Sequence, residues 1–122
     1  MKFLVLVLAL ALSAAALAHP SNKWRLQFSG SAKTSGVIVI QLSPVGSDPI
    51  SVSIDVPDNA SENKVAKIVT DKLREALPSD AFHVERDDGE DVLVKSRHGA
   101  ANFDLEVVSN SVEHVRINRD RE

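Results

Sequence analysis

The chain contains no cysteine and no tyrosine, and one tryptophan and four phenylalanines are its whole aromatic complement in 122 residues. Without cysteine, disulfide scaffolds, thiol nucleophiles and thiolate metal sites are excluded, so the fold must stand on its own core. So few rings also argue against a carbohydrate-binding surface, which presents several flat aromatic faces to a sugar. The five glycines all fall in turn contexts and leave no Gly-rich phosphate loop. A formal charge of −3 argues against bulk electrostatic binding to nucleic acid or anionic lipid. After residue 18 no apolar run approaches the roughly 20 residues that a membrane span needs.

What is present is unevenly placed. Sixteen of the 53 hydrophobic residues lie between Met1 and Ala18. Lys2 is a positive n-region, Phe3 to Leu12 an apolar run and Ala16-Leu17-Ala18 a small-x-small cleavage site, the pattern of a secretory signal cut before His19. The expected exported chain has 104 residues, with 37 hydrophobic, 13 basic and 17 acidic, a formal charge of −4. His19 stands where a lipoprotein would need cysteine, so the expectation is a protein free in the periplasm or the extracellular fluid. This length suits one domain with one modest core. Val and Ile supply 20 of the 37 hydrophobic residues and Leu only 6, which points to sheet.

Trp24, Leu26 and Phe28 alternate with Lys23, Arg25 and Gln27, a half-buried first strand. Val37 to Leu42 is a nearly continuous apolar run, expected as a central strand. Ile50, Val52, Ile54 and Val56 alternate with polar residues as a third. The period then changes: Val65, Ile68, Val69, Leu73, Ala76 and Leu77 make an apolar stripe at helical spacing. Asn59 (with Glu62 three residues on) or Ser61 caps its start, and Pro78 ends it. Asn59-Ala60-Ser61 is also an N-x-S sequon, which we read as the helix cap. Four short strands follow: one with Phe82 and Val84, its hairpin partner Val92-Leu93-Val94 across Asp88-Gly89, one with Phe103, Leu105 and Val107, and one with Val115 and Ile117.

The expected architecture is α+β in the order βββ-α-ββββ, an antiparallel sheet of six or seven short strands with one amphipathic helix packed on one face. Its parts are a signal peptide at 1–18, an N-terminal tail at 19–22, a single domain at 23–118 and a polar tail at 119–122 that frays. The helix stripe and the dry strand faces use nearly all the apolar residues, leaving few for a ligand cavity.

Residues that carry chemistry are sparse. Asp87, Asp88, Glu90 and Asp91 offer carboxylates to a calcium ion at a hairpin tip, but their spacing does not match a twelve-residue calcium loop and turn chemistry accounts for them. His19 at the expected mature terminus is a loose copper or zinc chelator. His83, His98 and His114 are 15 and 16 residues apart, expected in a strand, a loop and a strand, and lack the spacing of a zinc motif. No G-x-S-x-G occurs, and Ser35-Gly36 and Ser47-Asp48 read as turns. Trp24 reads as a core anchor; the alternative is a partly exposed anchor for a partner, together with Arg25 and Gln27.

The segment Ile50 to Phe103 resembles the small β-α-β-β modules of phage tail-associated and bacterial exported proteins. A strand, a capped helix like Asn59-Ala60-Ser61 to Val65-Ala66-Lys67-Ile68, and a hairpin like Asp91-Val92-Leu93-Val94-Lys95 follow in the same order. The whole exported chain is similar in style to short exported proteins of Gram-negative bacteria. The resemblance implies an α+β fold and export, and it contains no functional motif to carry over.

The functional expectation is a non-enzymatic interaction module without cofactor, such as an inhibitor or adaptor of a periplasmic or secreted protein. Its partner is a protein, not nucleic acid or membrane, and the chain is a monomer or weak dimer. Binding is expected at a sheet edge, in the first strand around Trp24 to Phe28 or the last around Val112 to Ile117. The competing expectation is a small hydrolase or metal-dependent site built from His83, His98, His114 and the Asp87–Asp91 hairpin.

Overall fold

The computed structural model describes residues 19–122, and the expected signal segment lies outside the described residues. The elements are β1 (Lys23–Ser29), β2 (Gly36–Pro44), β3 (Ile50–Val56), α1 (Glu62–Ala76), β4 (Phe82–Asp87), β5 (Asp91–Ser96), β6 (Phe103–Asn110) and β7 (Arg116–Arg121). The class is α+β and the order is βββ-α-ββββ.

The strands divide between two antiparallel sheets, β4-β5-β1-β7 and β3-β2-β6, where one sheet was expected. The reason is coverage. Trp24, Leu26, Phe28, Val84, Val92 and Val94 form the dry face of the first sheet, and Ile38, Ile40, Leu42, Val52, Ile54 and Leu105 that of the second. One helix of 15 residues cannot cover all of these, so the two faces cover each other. α1 packs chiefly against β3 and β4, one strand from each sheet.

Helix α1 begins where Ser61 accepts a hydrogen bond from the Lys64 amide at 3.2 Å. Ser61 is therefore the cap, and Asn59 instead occupies a turn at φ 68°. The buried stripe is Val65, Ala66, Val69, Thr70 and Leu73, with Leu77 just beyond it. Ile68 is half-buried and Ala76 exposed. Thr70 was not expected inside; its hydroxyl donates to the Ala66 carbonyl at 2.8 Å, which removes the cost of burying it.

The ends of the chain differ from expectation. Residues 119–121 do not fray but complete β7, where Arg119 pairs with Leu26 and Arg121 with Trp24. The Glu122 amide donates to the Lys23 carbonyl at 3.0 Å. At the other end Ser21 exchanges two backbone hydrogen bonds with Phe103, of 2.9 and 2.8 Å, so the expected N-terminal tail is joined to β6. Sequence polarity says nothing about the backbone pairing of these segments.

Two further expectations are corrected. β1 is bonded to β5 on one side and β7 on the other, so the first strand offers no free edge. Val112 and Val115 are buried side chains of the loop that precedes β7 rather than lying in the strand, and His114 occupies a turn at φ 74°. That turn packs close to Gly30, where a Cβ would collide with the His114 carbonyl oxygen.

Candidate functional site

The outer face of the four-stranded sheet is an ion lattice. The register sets Arg25 opposite Leu93 on one side and Asp120 on the other, with Asp91 and Asp87 aligned on the neighbouring strands. Arg25 reaches Asp91 at 2.6 Å, Asp87 at 3.1 Å and Glu122 at 2.8 Å. Lys23 lies 3.3 Å from Glu122, and Lys95 lies 2.6 Å from Glu85. The Arg25 guanidinium holds its proton more tightly than usual because of its hydrogen bonds to Glu122, Asp91 and Asp87. In return the Glu122 carboxyl is lowered from the usual carboxylate range, first by Arg25 and then by Lys23, and that of Glu85 is lowered by Lys95. Leu93 is buried on this face, apart from the main core.

This lattice takes up Asp87 and Asp91, two of the four carboxylates considered for calcium. The loop Asp88-Gly89-Glu90 closes the hairpin with Asp88 at φ 50° and Gly89 at φ 80°, the left-handed conformations for which that pair is suited. The carboxylates of Asp87 and Asp91 both point to one guanidinium, which occupies the place of a cation between them. Asp91 is 6% exposed, and its second carboxylate oxygen has no hydrogen-bond partner.

The expected partner anchors separate into three environments. Trp24 is 3% exposed and its indole N–H donates to the Phe103 carbonyl at 2.8 Å, so it is a core residue. Arg25 is the hub just described. Gln27 is exposed at the lip of a shallow cleft of about 320 Å³ shared with Glu62, Glu90 and Arg116.

The histidines are not brought together. His83 lies on β4, 3.7 Å from Glu85, and His98 is in the turn after β5 at the same end of the sheet. His114 and the Asp87–Asp91 hairpin belong to the opposite end, because Gln27 pairs with Asp91 and Lys23 with Lys95. Among the described residues no group of three or more His, Asp or Glu side chains is arranged to hold a metal ion.

The feature that sequence reasoning missed lies between the sheets. β6 and β7 are consecutive and are joined by five residues, yet they belong to different sheets and form no ladder with each other. Between them runs a groove of about 440 Å³ lined by Glu106, Val107, Ile117 and Arg119. Arg119 spans it: the guanidinium donates to the Leu105 carbonyl, lies 3.7 Å from Asp104 and stacks 4.9 Å above the Trp24 ring. The register of β6 on β2 slips at Val39/Ile40, so Val108 is an extra residue opposite that step and is 55% exposed. The adjacent pair Val107-Val108 breaks the alternation and is the signal that could have located this bulge.

No family model matches the chain, and no curated protein matches it in sequence.

Proposed function

We propose that this protein is an exported, non-enzymatic interaction module that takes an extended segment of a protein partner along the β6–β7 side of its sandwich. The observation that carries the reading is the pair of facing, unladdered edges. Apart from the Ser21 bonds to Phe103 and the Arg119 bond to the Leu105 carbonyl, the two edges form no ladder with another strand, and added strands bind through such unladdered backbone groups. The other two edge strands, β3 and β4, lie under α1, which packs on both.

In this role the partner's backbone pairs along the groove. Its alternate side chains meet the half-buried Val107 and Ile117, and the exposed Val108 extends the apolar contact. Blocking or tethering a secreted protein in this way suits an inhibitor or adaptor. The expected export and the resemblance to bacterial exported proteins support the same setting.

The test is affinity capture from the native secretome with the wild type, with Val108→Lys, which places a charge on the edge, and with Val45→Lys, which removes the other strongly exposed valine. One partner in stoichiometric amount, lost with Val108→Lys and kept with Val45→Lys, is the expected result. Equal capture by all three, or recovery of the protein only as a free monomer, refutes the reading.

A further inference from the structure

We infer that the pocket between the C-terminal end of α1 and the start of β4 is a binding site for a phosphate monoester carried on an apolar group. The pocket has a volume of about 310 Å³ and is lined by Arg74, Ser79, His83 and Arg97 above an apolar floor that includes Leu77 and Phe82. It lies beside β4, across the four-stranded sheet from β7, and is independent of the groove described above.

The two arginines come from distant parts of the sequence. Arg74 stands in the last turn of α1, and Arg97 follows β5. The fold brings them together because Phe82 pairs with Ser96 and the Arg97 amide donates to the Ala81 carbonyl at 2.8 Å. Each guanidinium is fixed through Nε to a backbone carbonyl: Arg74 to Val84 at 2.9 Å and Arg97 to Ser79 at 2.6 Å. That leaves both Nη groups of each arginine as donors, in the fork geometry that matches two oxygens of a tetrahedral anion. Among the described residues neither arginine forms an ion pair within 4.0 Å, unlike Arg25, which meets three carboxylates. No carboxylate lines the pocket.

The negative end of the α1 dipole opposes an anion here, but it amounts to roughly half a charge against two full ones. A doubly charged oxyanion makes the fullest use of two guanidiniums. The floor of Leu77 and Phe82, each 5% exposed, then favours an ester with a flat or apolar group over the free ion.

The experiment is an NMR titration of the full exported chain, with amide shifts followed for residues 74–84 and 96–98. The probes are phenyl phosphate, inorganic phosphate and benzyl alcohol. Phenyl phosphate is expected to saturate these amides in the millimolar range or below, inorganic phosphate to bind several-fold more weakly, and benzyl alcohol to shift nothing. Arg97→Gln and Arg74→Gln should each weaken phenyl phosphate about tenfold, which corresponds to about 1.4 kcal/mol. Arg97→Lys should restore part of the loss, and Arg116→Gln should leave binding unchanged. Because Arg74→Gln also frees the Val84 carbonyl, its thermal midpoint is read alongside, and Arg97→Gln alone decides if that variant is unfolded. No saturable shift by phenyl phosphate, equal binding by the two arginine variants and the wild type, or equal affinity for free phosphate would overturn the assignment.

Discussion

The two sides of the sandwich are closed by different means. Beside β3 and β4, helix α1 inserts Val65, Val69 and Leu73, all fully buried, and the contact is apolar area removed from water. Beside β6 and β7, the side chain of Arg119 spans a groove that stays open. The first side is sealed by a force that needs no particular orientation, and the second by directional bonds, from Arg119 to the Leu105 carbonyl and from Ser21 and Trp24 to Phe103. That difference is the reason the proposal assigns the partner to β6 and β7.

The sharpest way to break the comparison is to weaken the sealed side. Leu73→Ala removes a fully buried side chain and should cost about 2–5 kcal/mol in urea unfolding, enough to threaten a small domain without disulfides. A loss under 1 kcal/mol would mean that α1 is not the seal. On the open side, Arg119→Ala gives up the bond to the Leu105 carbonyl and the stacking on Trp24 and should cost about 1–2 kcal/mol. If it costs as much as Leu73→Ala, the two sides are equivalent and the contrast fails.

Acid should act on the open side through Glu122, which ties the end of β7 to Lys23 and Arg25. Its folded carboxyl is lowered by those two cations, so the unfolded chain binds the proton more readily. The contribution is therefore present above the ordinary glutamate range near about 4.3 and is lost as the pH falls through the lower folded value. Urea midpoints at pH 6 and pH 3 should differ less in Arg25→Gln than in the wild type. The same difference in both would show that Arg25 is not the group through which acid acts. The smallest effect is expected for Val108→Lys, an exposed edge position, where stability should change by less than about 0.5 kcal/mol even as partner capture is lost. Unfolding of that variant would make Val108 a structural residue rather than a binding one.

Much of the fold was legible because it rests on local periodicity. Trp24, Leu26 and Phe28 face the core as their alternation requires, and the helical stripe from Val65 to Leu73 is buried as its spacing requires. Within the helix, Ala66 and Thr70 were missed because the buried arc is turned toward them and away from Ile68, a rotation set by packing against β3 and β4 and not by the apolar spacing. The β6–β7 groove was illegible for a stronger reason. Arg119 and its polar neighbours read as a fraying tail, and only pairing with β1 holds Arg119 above Trp24. Likewise the 22 residues between Arg74 and Arg97 carry no hint that both line one pocket.

The sequence by itself determined the α+β class, the order of the elements, the extent of the helix and the independence from disulfides. Each follows from the composition or from side-chain periods of two and 3.6, properties of single segments. The tertiary structure decided that the strands form two sheets, that β1 is interior while β6 and β7 are edges, and that the histidines stand apart. A strand pattern specifies which face is dry but not which neighbour pairs with its backbone; that is settled only when all the dry faces must be covered together.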